Sequence, residues 1–115
     1  MRTQGDFYFG EETATSPIIL RPTRGESMRY GQQNIHIIDF PGEYDIDGHI
    51  VQCFATGDNL HYIFTIEDQR FALLQDTAIL TKESFEKIDT WIVRYPSIKD
   101  ELERKEMEGK VEVIS

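Results

Sequence analysis

The feature that most restricts what this 115-residue chain can fold into is the spacing of its turn residues. As far as Asp76, short runs of β-branched and aromatic side chains are cut at close intervals by Gly, Pro, Asn and Asp, which accept turn geometry. Phe7-Tyr8-Phe9 stops at Gly10, and Pro17-Ile18-Ile19-Leu20 stops before Pro22. Residues 23–33 are polar and read as a loop or long hairpin connection. Residues 34–40 form a β-branched run broken at Pro41-Gly42, and 43–46 lead into Asp47-Gly48, a pair suited to a tight hairpin because Gly accepts positive φ. The chain returns over 49–55, turns at 56–59, and makes another hairpin from 60–66 to 70–74 across Glu67-Asp68-Gln69. This part predicts an antiparallel meander.

The pattern changes after Asp76. Thr81 can cap a helix start, with Ser84 where a capping box would prefer Glu, and Phe85 and Ile88 then share one face. Residues 90–95 read as an apolar strand stopped by Pro96. Ser97 can cap a second helix running to about Glu108, with Ile98 and Leu102 inward and Gly109 at its C-cap. Residues 111–114 supply a last strand. Strand, helix, strand, helix, strand at this spacing implies a parallel sheet with right-handed crossovers. The fold class is therefore α+β or mixed α/β, in one domain of residues 1–115. Its parts are N-terminal strands and loop (1–33), meander (34–76) and the helix-containing segment (77–115), with no linker or internal repeat.

Charge narrows the function. The formal net charge is −9, and Lys and Arg are scattered. Nucleic acid and anionic membrane surfaces are disfavoured as partners, since both attract basic patches. The one cysteine, Cys53, allows no intrachain disulfide and sits between Val51 and Phe54 as a small apolar filler. Residues 1–6 lack the apolar run of a signal peptide, and no stretch approaches the roughly 20 apolar residues of a membrane span. A cytoplasmic protein is the expectation.

Phe-Pro-Gly-Glu-Tyr-Asp-Ile-Asp-Gly, at 40–48, resembles the Gly-Pro-Gly-Glu-Tyr-Glu-Ile-x-Gly segment of certain metallo-β-lactamase-fold hydrolases, in the branch similar to L-ascorbate-6-phosphate lactonases. There the segment precedes a hairpin ending in a His-Leu-Gly-Asp strand whose aspartate bridges two metals. Ala72-Leu73-Leu74-Gln75-Asp76 looks like that strand. Residues 84–89 and 90–96 look like the helix and the Val-Asp-Val-Leu-Leu-Ile-Pro strand that follow, so the likeness covers 35–96. It implies a partial metallo-β-lactamase-like sandwich, a β-meander followed by β-α-β-α-β. Asp76 becomes the one position matching a metal ligand, zinc or manganese being the metal so implied.

The departures weigh against that chemistry. The family's His-x-His-x-Asp-His loop has no counterpart in the sequence, the region before Asn34 is too short for the usual first half, and Gln75 replaces the glycine before the aspartate. One carboxylate does not hold a catalytic zinc, which takes roughly three protein ligands. The resemblance thus implies a shortened relative with no metal, cofactor or catalytic residues, in which Asp76 is a polar residue at a strand end, capping a turn or the following helix.

Other candidates give way to plainer readings. His36, His49 and His61 fall in different strands, without the His-x-His or i,i+4 clustering of a metal site, although adjacent strands can align distant positions. Asp45-Ile46-Asp47-Gly48 lacks the spacing and closing Glu of a calcium loop. Glu43 and Asp45 share a strand face, but nothing beside them suggests a sugar site. There is no Gly-x-Ser-x-Gly elbow and no phosphate loop. Residues 99–110 read as the solvated face of a helix.

Two functional expectations remain. The first is a non-catalytic binding or assembly module. A chain this short supplies only part of a sandwich, and uncovered apolar sheet costs roughly 25 cal/mol per Å², so a homo-oligomer, a two-fold dimer above all, or another protein partner is expected. The second is a metal-dependent hydrolase subunit whose site is completed by another chain.

Overall fold

The computed structural model describes residues 7–9, 18–22, 29–30, 36–46, 48–76, 85 and 87–114. They form two sheets and one helix. A four-stranded sheet holds β1 (Phe7–Phe9), β2 (Ile18–Leu20), β3 (Arg29–Tyr30) and β4 (His36–Ile38), in the order β1-β2-β4-β3. A six-stranded sheet holds β5 (Gly42–Ile46), β6 (His49–Thr56), β7 (Asn59–Ile66), β8 (Gln69–Leu74), β9 (Thr90–Val93) and β10 (Lys110–Val113), in the order β10-β9-β8-β7-β6-β5. The helix, α1, spans Pro96–Arg104.

The expected meander exists from β5 to β8, where each pair is antiparallel. Two-residue connections set its register: Ile46 pairs with His49, Thr56 with Asn59, and Ile66 with Gln69. At the last of these, Glu67 and Asp68 both take positive φ (49° and 67°), the type I′ geometry that matches strand twist. The earlier strands depart from the meander. They make a separate sheet in which β2 and β4 run parallel, so the chain crosses over between them. Within the polar stretch at 23–33, Arg29 and Tyr30 pair with β4. The step to parallel pairing after Asp76 is as expected: β8, β9 and β10 are parallel neighbours.

Strand alternation sends the six-stranded sheet's side chains to two cores. Val51, Cys53, Leu60, Tyr62, Phe64, Leu73 and Ile92 pack against Ile18, Leu20 and Ile38 of the smaller sheet. Ile63, Ala72, Leu74, Trp91 and Val93 pack on the other face with Phe85, Ile88, Ile98 and Leu102. The central strand β7 serves both cores and buries Leu60 through Phe64 without a break. The Tyr62 hydroxyl lies 2.7 Å from the carbonyls of both Ile38 and Arg21, and the Leu60 amide donates to Pro22, so polar bonds stitch the two sheets together inside an apolar layer.

Two end-of-helix expectations need correction. Tyr95, not Ser97, is the N-cap, and Pro96 takes the first helical position, where its missing N–H costs nothing. The helix closes at Lys105, four residues before Gly109. Gly109 instead permits a close backbone approach, since a Cβ there would lie 2.6 Å from the Ile88 carbonyl oxygen. The expected helix start at Thr81 and Ser84 lies outside the described residues. Beyond it, Lys87 takes φ 58°, which is not helical, yet Phe85 and Ile88 are buried as expected.

The sheet is not left with a broad bare face among the described residues. Over β5 and β6 the helix-side face carries Glu43, Asp45 and Gln52, and the large apolar side chains exposed are Ile50, Tyr95 and Val113. No helix among the described residues is long and apolar enough to cross a membrane.

Candidate functional site

Two hairpins bring the site together. The β6–β7 turn sets Thr56 opposite Asn59, and the β7–β8 register, with Tyr62 opposite Leu73, carries on to set Asn59 beside Asp76. Thr56, Asn59, His61 and Asp76 thus gather at one end of three adjacent strands, on the face that carries α1. Asp76 and Asn59 also line a groove of about 570 Å³ shared with Tyr95, Ser97, Asp100 and Arg104 around α1.

A directed chain of hydrogen bonds runs through these residues. The Gln75 backbone N–H donates to His61 Nδ1 at 3.1 Å. A nitrogen that accepts a hydrogen bond carries no proton, so the neutral ring holds its proton on Nε2. From there Nε2–H donates to Thr56 Oγ1 at 2.7 Å, and the Thr56 hydroxyl donates to Asp76 Oδ2 at 2.9 Å. Asn59 Nδ2 donates to the same carboxylate oxygen at 2.9 Å. The backbone amide at one end decides the polarity of every link.

Burial reinforces this arrangement. His61 is fully buried, which lowers its pKa below the usual imidazole value, and the Asp76 carboxylate only partly opposes that shift. Protonating Nδ1 would also break the bond from Gln75. Gln75 itself is buried and accepts a hydrogen bond from Arg94 Nε at 3.0 Å, which joins the ends of β8 and β9.

This polarity decides what the cluster can do. In a hydrolytic triad the hydroxyl donates to the imidazole, which acts as base. Here the hydroxyl accepts from the imidazole and donates to the carboxylate, while the remaining imidazole lone pair is occupied. His61 is therefore neither a general base nor a ready metal ligand. Asp76 Oδ1 stands 3.6 Å from His61 Nε2, so histidine and carboxylate do meet, but the histidine's donor atom carries a proton. Among the described residues no group of three or more His, Cys, Asp or Glu side chains is placed to hold a metal ion. His61 and Asp76 alone fall short of the roughly three protein ligands that a zinc centre takes.

The remaining candidates lie apart. His36 is on β4 in the other sheet, and His49 lies at the far end of β6, its Nδ1 3.3 Å from the Thr65 carbonyl. Cys53 is buried beside Tyr62, and burial pushes its thiol up to about 12, so it supplies no thiolate near neutral pH. Glu43 and Asp45 are exposed on β5, Glu43 within 3.4 Å of the Gln52 side-chain amide, and Asp47 lies outside the described residues. Sequence reasoning singled out Asp76 and His61, noted Gln75 only as a departure from the resembled strand, and missed Thr56 and Asn59. The usable signal was turn length, because two-residue connections align 56, 59 and 76.

The sequence matches no family model and no curated protein. A solved structure similar to this chain is that of a Thermotoga maritima protein described as a Zn-dependent hydrolase of the metallo-β-lactamase superfamily. It is 22% identical, with a TM-score of 0.47, over 68% of this chain and 51% of that one. The chain thus spans about half the length of that structure.

Proposed function

We propose that this chain is a non-catalytic protein of metallo-β-lactamase-like type that works as a binding and assembly module, associating with a second copy of itself. The observation that carries the non-catalytic part of this reading is the hydrogen-bond chain from the Gln75 amide to Asp76, and the edge strand β10, unpaired on one side among the described residues, supports the association. At the position where the resemblance expects a metal-bridging aspartate, the carboxylate is the acceptor end of a structural latch between strand ends. Such a latch holds β6, β7 and β8 in register, and it occupies the imidazole lone pair and the Thr56 hydroxyl that a hydrolytic base and nucleophile would need.

One observation favours the second reading, a hydrolase subunit completed by another chain: His61 and Asp76 stand 3.6 Å apart at the strand ends. Metal analysis separates the two. Protein incubated with Zn²⁺ or Mn²⁺, desalted and assayed by mass spectrometry should retain well under one ion per chain and show no rise in Tm. Stoichiometric metal with a raised Tm, both lost in Asp76→Ala, would overturn the proposal in favour of the second reading. Sedimentation at tens of micromolar tests association, and a monomer there would refute it.

A further inference from the structure

The strand β10 is an edge of the six-stranded sheet among the described residues, and its backbone polarity is set by two bonds. Lys110 N–H donates to the Asp89 carbonyl and Ile114 N–H to the Val93 carbonyl. Alternate residues of a strand point their N–H and C=O to opposite sides, so Lys110, Glu112 and Ile114 turn these groups towards β9. Val111 and Val113 then turn theirs to the open edge. Their side chains lie on the α1 face, where Val111 packs with the second core and Val113 is 42% exposed. Lys110 and Glu112 lie on the other face, with Nζ and Oε1 3.2 Å apart.

We propose that β10 pairs antiparallel with β10 of a second copy about a two-fold axis at Val111, joining the two six-stranded sheets into one. This names the surface for the self-association proposed above and rests on that reading. Charge selects the partner and the register. With Val111 opposite Val111 of the copy, each Lys110 faces a Glu112, and the four charges alternate in sign around the axis. Moving the axis to Glu112 would instead set Glu112 against itself, a like-charge pair at the closest cross-strand spacing. In the charge-matched register Val113 lies diagonal to Val111 of the copy, giving an apolar row along the α1 face. An open edge of this kind offers unpaired backbone groups to another strand, and a self-complementary charge pattern restricts which strand fits.

Sedimentation equilibrium on the whole chain tests the pairing. Wild type should be a dimer at tens of micromolar. Glu112→Lys replaces both attractive cross-pairs with repulsive ones and should weaken dimerisation about tenfold or more. The double variant K110E/E112K restores opposite signs across the axis and should return the dissociation constant to within about threefold of wild type. Val111→Pro removes an N–H that faces the edge and none from the β9 ladder, so it should give a folded monomer. A wild-type dimer unaffected by Glu112→Lys and Val111→Pro would overturn the β10 edge while leaving self-association standing. A wild-type monomer would overturn both. Should Val111→Pro fail to fold, the charge-swap series decides alone: failure of the double variant to rescue the single one refutes the register.

Discussion

Replacing Thr56 by Val removes the middle link of the chain between His61 and Asp76 while keeping nearly the same volume and the β-branched shape. The His61 Nε2–H then loses its acceptor, and the Asp76 Oδ1 beside it stands 3.6 Å away, beyond hydrogen-bond distance. The ring is fully buried, so water does not take over, and it does not escape by moving its proton to Nδ1, because the Gln75 amide needs that lone pair. A buried donor left unsatisfied costs about 1–3 kcal/mol. The carboxylate adds little: Asp76 is 31% exposed and keeps its bond from Asn59. The expected loss is about 2 kcal/mol, which for a domain of this size lowers Tm by roughly 8 °C. Thr56→Ser keeps the hydroxyl and should cost less than about 1 kcal/mol. Urea denaturation of the three proteins at pH 7.5 measures the difference directly. Imidazole ¹⁵N shifts should at the same time report the Nε2–H tautomer in wild type. If Val and Ser variants agree within about 0.5 kcal/mol, or if the ring carries its proton on Nδ1, the directed chain does not exist and the latch reading fails.

The same histidine makes stability depend on pH. Its pKa is lowered in the folded state, so the folded chain resists a proton that the unfolded chain accepts. Its contribution is fully present above the unfolded value of about 6.5 and is lost as pH falls below that, by up to about 1.4 kcal/mol per pH unit, until the folded value is passed. Between pH 7.5 and 5.5 wild type should lose more stability than His61→Gln, and equal slopes would contradict the burial argument. At the β7–β8 turn, E67N/D68G supplies residues that accept the two positive φ angles, and denaturation should show a gain of about 0.5–1 kcal/mol. Gly109→Ala places a Cβ 2.6 Å from the Ile88 carbonyl at φ 117°, so it should cost about 2 kcal/mol or more; a neutral result would mean that the approach of 109 to 88 is not as described.

Much of the fold was legible because its signals are local. Turn residues at 47–48 and 56–59 set the β5–β7 hairpins, and the Ile98 and Leu102 spacing marked the buried side of α1. Cap positions were less legible: Ser97 looks like a cap in isolation, but Pro96 before it occupies the first helical position and moves the boundary to Tyr95. The parallel β2–β4 pair was not legible either, because parallel strands join residues far apart along the chain and no turn motif announces them. At the candidate site the identity of Asp76 was readable, but not its role. Thr56, Asn59 and Gln75 are unremarkable polar residues until strand register brings them to it.

By itself the sequence determined the class of fold, the meander from β5 to β8, the shift to parallel strands after Asp76, and the lack of the histidine motif a metal site of the resembled type requires. These follow from alternation, turn chemistry and residue identity, which act over a few neighbours. Only the tertiary structure decided that His61 is neutral with its proton on Nε2, that Asp76 is an acceptor in a latch, and that Val111 and Val113 turn their backbone groups away from β9, to an edge open among the described residues. Each depends on which groups on separate strands come within about 3 Å of one another, and hydrogen-bond direction follows from that proximity.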